Sequence, residues 1–282
     1  VKIITKISES RDEINVFRCV GKRIGFVPTM GYLHEGHLSL VKKCREENDI
    51  VVVSIFVNPT QFGAGEDFER YPKDLKNDAA LLQGAGVDFL FTPSVEEMYP
   101  EGFSTAISVS GISDGLCGSS RPGHFDGVAL VVTKLLNIIM PHKAYFGMKD
   151  YQQLQVIKRF VADLNMNTKI IGMPIIRETD GLALSSRNIY LNADERKSAL
   201  CLSRSFALVC EALEGGETEV SEIKTIVENF IKDHPHTRID YVQFVDPETL
   251  KPVKDLTKDF LLALAVYVGK ARLIDNNIFK VM

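Results

Sequence analysis

Two histidines three residues apart, His34 and His37, lie in the stretch Thr29-Met30-Gly31-Tyr32-Leu33-His34-Glu35-Gly36-His37. The apolar run Arg23-Ile24-Gly25-Phe26-Val27-Pro28 precedes them, and an amphipathic pattern with Leu38, Leu40, Val41 and Cys44 on its apolar side follows. The pair therefore sits where a buried strand hands over to a helix. A helix start offers unpaired N–H groups and about half a positive charge. Gly31 and Gly36 let the backbone bend and let a ligand come close. Two imidazoles beside that charge suit an anionic phosphate chain that gains charge as it reacts. A protease-type zinc site needs histidines four apart on one helical face, so the spacing argues against that metal. A plain connecting turn with two surface histidines is the other alternative.

Further candidates follow other strands. Lys149 stands at a strand-to-helix turn, where a lysine is a natural phosphate partner; Asp150 beside it could bind ribose hydroxyls or cap the next helix. Arg187, behind Ser185 and Ser186 and before Asn188, could clamp phosphates with its planar fork while the serines donate hydroxyls. Gln61 and Gln153 are neutral amides that can bind a hydroxyl or a carboxylate. Alone, Lys149 reads equally as a solvated surface lysine, Ser-Ser-Arg-Asn is a tetrapeptide that chance often produces, and Gln61 and Gln153 are more often plain polar surface residues.

The elements that must hold these residues alternate. A helix is predicted over 8–20, with Ile14, Val16, Phe17 and Val20 inward. The run Ile50-Val51-Val52-Val53-Ser54-Ile55-Phe56-Val57 predicts a parallel strand covered on both faces, ended by Pro59. Helix 74–84, strand 87–91, a loop 121–126, helix 127–140, strand 143–146, helix 151–163 and strand 169–176 follow. This alternation predicts an α/β fold, a doubly wound parallel sheet with helices on both faces over 1–176, with chemistry at the carboxyl ends of its strands near a switch point. The unusual loops 28–37, 58–62, 147–150 and 177–188 all follow strands. Neither GxGxxG nor a P-loop is present. Helices near 193–213 and 218–232 and strands near 238–245, 260–268 and 271–275 predict a smaller α+β domain over 177–282.

A net charge of −4 argues against a general nucleic-acid binder, though not against a local positive pocket. The five scattered cysteines contain no CxxC pair, which fits a reducing cytoplasm and buried packing. The longest apolar run, Phe260 to Val268, is too short to span a bilayer, and the first twenty residues hold no signal-peptide core.

Five segments in order carry a resemblance: Pro28-Thr29-Met30-Gly31 through His34-Glu35-Gly36-His37, Ser54 through Phe62, Arg121-Pro122-Gly123-His124-Phe125, Phe146-Gly147-Met148-Lys149-Asp150-Tyr151-Gln152-Gln153, and Asp180 through Asn188. Over nearly its whole length the chain resembles the pantoate–β-alanine ligases of the HxGH nucleotidyltransferase superfamily. The resemblance implies a Rossmann-like domain of the nucleotidyltransferase type and a smaller C-terminal domain that closes over ATP as a lid. It implies ATP binding by Met30, Gly31, Tyr32, Leu33, His34, Glu35, Gly36 and His37, by Gly147, Met148, Lys149 and Asp150, by Ile176, and by Leu184, Ser185, Ser186 and Arg187. His37, His34, Lys149 and Arg187 would be catalytic. Gln61 and Gln153, with Asn58 close by, would bind pantoate and β-alanine. Mg²⁺ would accompany the ATP phosphates, with its ligands unassigned and Asp67 and Asp150 as candidates; the assembly would be a cytoplasmic homodimer. Thr60 and Met148 depart from the family pattern, which often has Met at the first position and Glu or Gln at the second. The nearest alternative is a nucleotidyltransferase that passes a nucleotide to a phosphate acceptor and stops; a regulatory nucleotide-binding protein on the same fold is the alternative from another class.

Overall fold

The computed structural model describes residues 1–63 and 65–281. In chain order the elements are β1 (Lys2–Ile4), α1 (Ile7–Cys19), β2 (Ile24–Thr29), α2 (Glu35–Glu47), β3 (Ile50–Ile55), α3 (Leu75–Gly84), β4 (Phe89–Phe91), α4 (Val95–Met98), α5 (Cys117–Ser120) and α6 (His124–Ile139). They continue with β5 (Lys143–Gly147), α7 (Tyr151–Asp163), β6 (Lys169–Met173), α8 (Ala193–Ala199), α9 (Cys201–Glu214), α10 (Val220–Lys232), β7 (Thr237–Val245), β8 (Phe260–Val268) and β9 (Ala271–Phe279).

The first six strands form one parallel sheet in the order β1-β4-β3-β2-β5-β6. From β2 the chain steps outward through β3 and β4, then resumes on the other side of β2 with β5 and β6. The reversal falls between β2 and β5, the crevice where such sheets bind ligands. Val27, Val51, Val53 and Leu90 on one face of the sheet pack with Leu40, Val41 and Cys44 of α2 and Leu82 of α3. Each such side chain contributes about 1.5–3 kcal/mol when fully buried. Helix α6 is buried on nearly every side, as a helix apolar all round must be. Burial pushes the Cys44 thiol up to about 12, so it behaves as a small apolar core residue.

The last three strands form an antiparallel sheet, β7-β8-β9. Almost all of β8 is buried, and α9 and α10 supply Leu202, Val209, Ile223, Val227 and Ile231 to its core. Phe260 and Phe279 stack there with ring centroids 4.8 Å apart.

The chain falls into two compact units. The first comprises Val1–Ser110, Arg121–Met148 and Gln153–Pro174; the second comprises Gly111–Ser120, Lys149–Gln152 and the chain from Ile175 onward. A single cut after residue 176 cannot describe this, because two short insertions pack with the C-terminal sheet. Ser120 Oγ donates to Asp240 Oδ1 at 3.1 Å, Cys117 Sγ lies 3.2 Å from Tyr241 Oη, and Asn276 Nδ2 donates to the Lys149 carbonyl at 2.9 Å.

Several elements differ from the sequence expectation. β1 lies at the sheet edge and is too short to carry a pattern. α6 begins at His124, inside the expected loop, because Gly123 takes φ +80° and lets the helix start there. The expected helix near 193–213 is divided at Leu200 into α8 and α9. β9 continues through the polar Asn276 and Asn277 to Phe279. Val16 and Val20, expected inward, are 63% and 68% exposed, because Ser10 and Ile14 mark the buried side of α1. Cys19 and Cys210 are exposed as well, whereas buried packing was the expectation for the cysteines. Among the described residues no helix is long and apolar enough to cross a membrane.

Candidate active site

The turn after β2 bends at Gly31, φ +86°, and Tyr32, φ +52°. A Cβ at Gly31 would lie 2.9 Å from Ile55 Cγ2, so only glycine fits without a shift. Gly36 does not supply the bend; it sits in the first turn of α2. His34 is the N-cap of α2: its Nδ1 accepts the Gly36 N–H at 3.2 Å. The His34 N–H in turn donates to His37 Nδ1 at 3.3 Å. The two imidazoles thus cap the helix start reciprocally, the role a Ser/Glu pair usually fills. Their ring centroids are 4.1 Å apart. Because both Nδ1 atoms accept N–H bonds, each neutral ring carries its proton on Nε2, and two imidazole N–H donors stand at the positive end of α2.

Asp78 of α3, 1% exposed, holds this turn from behind. Its Oδ2 accepts the Tyr32 N–H at 2.8 Å and its Oδ1 the Leu33 N–H at 2.7 Å. Burial pushes the Asp78 carboxyl above its ordinary range, and the two N–H bonds only partly oppose that.

After β3, a short turn of 3₁₀ helix, Pro59–Gln61, presents two amides. Asn58 is 1% exposed, and both ends of its amide are engaged. Its Nδ2 donates to Gln61 Oε1 and to the Gly127 carbonyl, each at 3.1 Å. Its Oδ1 accepts Tyr99 Oη–H at 2.8 Å and Thr60 Oγ1–H at 3.0 Å. The threonine that departs from the family pattern therefore joins this network through its hydroxyl. Gln61 is oriented by Asn58, while its Nε2 donates to the thioether of Met30 at 3.2 Å. Sulfur is a weak acceptor, so that donor is readily given up to an oxygen.

The other expected site residues divide between the units. Gly147 ends β5, the strand next to β2, Met148 opens the 3₁₀ turn that follows, and Gln153 lies in α7; all three belong to the first unit. Lys149 and exposed Asp150 belong to the second unit, as do Ile176 and Leu184 to Arg187. There, residues 176–184 form a small hairpin: Leu184 N–H donates to the Ile176 carbonyl at 3.0 Å and Glu178 N–H to the Leu182 carbonyl at 2.8 Å. Ser185 Oγ caps the next turn by accepting the Arg187 N–H at 3.3 Å, and Ser186 is buried. Arg196 grips Glu178 at 2.7 Å and Asp180 at 2.8 Å, and Asn188 Nδ2 reaches Glu178 at 2.8 Å. The expected phosphate segment is thus tied internally rather than loose.

Arg177 anchors the hairpin to β9 by a two-pronged pair with Asp275, at 2.6 and 2.9 Å. The Asp275 side chain is 1% exposed. Burial pushes its carboxyl above the ordinary range, and the guanidinium partly pulls it back. Replacing Arg177 with leucine is expected to destabilise the protein by about 3–5 kcal/mol, since the partner carboxylate is stranded. Without the arginine the folded-state pKa rises further above the unfolded value. Stability from this group is therefore present in acid and lost as pH rises through the folded pKa. Thermal melts should show a deficit that widens from acid to neutral pH; a pH-independent deficit would count against a stranded charge.

Sequence reasoning missed Asp78 and Tyr99. Their contacts with Leu33 and Asn58 span 45 and 41 positions, and no local pattern marks such partners. Among the described residues no group of three His, Cys, Asp or Glu side chains is gathered as metal ligands would be.

A family model described as pantoate-beta-alanine ligase matches residues 2–278. The pantothenate synthetase of Caldicellulosiruptor saccharolyticus is 54% identical over 279 residues, 99% of each chain. That of Fervidobacterium nodosum is 56% identical over 282 residues, again 99% of each. Among solved structures, pantothenate synthetase from Thermus thermophilus superposes with a TM-score of 0.93 at 48% identity, covering 98% of this chain and 99% of that one. The pantoate-beta-alanine ligase from Francisella tularensis, complexed with beta-gamma ATP and beta-alanine, gives a TM-score of 0.81 at 38% identity, covering 99% and 97%. Fold and family place the chain among ligases built on a Rossmann-like parallel sheet. More particularly, the chain belongs to the pantoate–β-alanine ligase family. It is therefore an enzyme that joins pantoate to β-alanine.

Proposed function

We propose that the chain makes pantothenate in two chemical steps. A carboxylate is a poor electrophile, so an amine does not displace its oxygen unaided in water. In the first step a carboxylate oxygen of pantoate attacks the α-phosphorus of ATP. The bond to the bridging oxygen breaks, and pyrophosphate leaves. In the second step the β-alanine amine attacks the activated carbonyl, loses a proton, and AMP leaves with the former carboxylate oxygen.

The reciprocal histidine cap carries this reading. Charge grows on the bridging oxygen and the phosphates during the first step, where prepositioned donors act most strongly. His34 and His37 supply Nε2–H donors at a helix N-terminus; Lys149 and Arg187 add positive charge. Met30 to His37, Gly147 to Asp150, Ile176 and Leu184 to Arg187 hold ATP. Gln61 and Gln153 take the pantoate carboxylate and hydroxyls, with Gln61 also close to β-alanine. Asn58 acts by orienting Gln61, since its own amide is already engaged. An adenylate hydrolyses if wetted, so the chemistry calls for a site that excludes water. The described residues offer no ready cage for Mg²⁺, and Asp67 and Asp150 stand outside any such cluster. Mg²⁺ would then be held largely by phosphate oxygens and water and would offset their charge. Cytoplasmic location and a homodimer belong to the same reading; sedimentation of the purified chain tests the latter.

The experiment is exchange of labelled pyrophosphate into ATP with β-alanine withheld. Exchange that depends on pantoate supports adenylate formation, and adding β-alanine should then release AMP. Exchange that ignores pantoate but responds to a phosphate-bearing acceptor would favour the nucleotidyltransferase alternative.

A further inference from the structure

The segment Arg121-Pro122-Gly123-His124-Phe125-Asp126-Gly127 opens α6, and the chemistry above leaves it without a task. In the structure it converges on the peptide of Gln61. His124, 9% exposed, places Nδ1 2.7 Å from the Gln61 carbonyl oxygen. A carbonyl can only accept, so Nδ1 carries the proton. The other ring nitrogen, Nε2, lies 3.0 Å from Arg121 Nη1, which can only donate. The arginine thus holds the ring in the Nδ1–H form. Arg121 is itself fixed by Glu66, with Nε and Nη2 donating at 2.6 and 2.7 Å. One turn further on, α6 approaches the Thr60–Gln61 peptide so closely that a Cβ at Gly127 would collide with the Thr60 carbonyl and lie 2.6 Å from the Gln61 nitrogen.

We propose that His124, set in its Nδ1–H form by Arg121, is a positioning residue that fixes the Gln61 peptide and so aims the Gln61 amide at pantoate. His124 gives the Gln61 carbonyl its short bond, while Arg121 Nη2 reaches the same oxygen only at 3.4 Å; both act on the backbone that carries the substrate-facing side chain. The proposal rests on the reading that Gln61 contacts pantoate.

Two near-isosteric variants separate positioning from bulk. In His124→Asn the side-chain Nδ2 falls near the place of the imidazole Nδ1 and keeps the bond to Gln61. In His124→Gln the amide reaches the Nε2 end and loses that bond. The KM for pantoate is expected to rise about tenfold in His124→Gln, where the Gln61 carbonyl keeps only the long contact from Arg121, and to stay within about threefold of wild type in His124→Asn. The KM for ATP should not move in either. In a Gln61→Ala background, His124→Gln should add nothing further to the pantoate KM. The proposal is overturned if the two variants behave alike, if ATP and pantoate KM rise together, or if the His124→Gln effect persists undiminished without Gln61. If Gln61→Ala alone leaves the pantoate KM unchanged, the reading of Gln61 itself fails and the positioning role falls with it.

Discussion

The His37→Ala enzyme is expected to form pantoyl adenylate about a hundredfold more slowly than wild type. Loss of one donor aimed at developing charge typically costs about 3 kcal/mol of transition-state stabilisation, which is that factor in rate. The structure adds a second contribution. His37 Nδ1 also accepts the His34 N–H at 3.3 Å, so alanine removes half of the reciprocal cap along with the Nε2–H donor. The two parts are separable. His37→Asn keeps an acceptor near the Nδ1 position but has nothing at Nε2, so its stability should stay near wild type while the rate falls. His37→Gln can hold the cap, as Gln does at this position of an ordinary capping box, or reach the Nε2 position, but one amide cannot do both, so it should recover either the cap's stability, about 1 kcal/mol, or part of the rate. Single-turnover adenylate formation and thermal melts read the two effects. Near-normal adenylation by His37→Ala would remove the residue from its role.

Asp78→Ala is expected to be severe although the side chain touches no substrate in the proposed chemistry. Two N–H groups, the buried one of Leu33 and the half-buried one of Tyr32, lose their acceptor together. An orphaned buried donor costs about 1–3 kcal/mol, so the pair accounts for at most about 2–6 kcal/mol. That is a large share of the roughly 5–15 kcal/mol that holds a domain folded. The turn also contains Tyr32 at φ +52°, a conformation that persists only where its surroundings impose it. Once released, the turn should relax and carry His34 out of register. Asp78→Asn should rescue poorly, because its NH₂ group would face one of the two N–H donors. Melts and adenylate rates of both variants test this. An Asn variant with wild-type stability would show that a two-oxygen acceptor is not required.

What could be read from the chain follows from how local each signal is. The histidine pair stood out because its chemistry and its structural context lie within fifteen residues. The β2 and β3 strands stood out because both are covered on two faces and so read as unbroken apolar runs. The switch point followed from the alternation of elements. Other features depend on partners far away. Asp78 reads as an ordinary helix aspartate until Leu33 is placed beside it. Asn58 reads as a ligand amide until Tyr99 and Gly127 are seen to occupy it. The 111–120 and 149–152 segments join the second unit through Asp240 and Asn276, more than a hundred positions away. The end of β9 was hidden because Asp275 and Asn276 are buried polar residues, 2% and 6% exposed, in a strand whose apolar pattern lapses there. Tertiary context, rather than local preference, decides each of these cases.

The most direct measurement follows oxygen from pantoate labelled with ¹⁸O in its carboxylate through complete turnover with ATP and β-alanine. If the carboxylate attacks the α-phosphorus beside the capped start of α2, one labelled oxygen must appear in the phosphate of AMP, and none in pyrophosphate. Label in inorganic phosphate with ADP as co-product, or AMP free of label, would contradict adenylate formation at this turn.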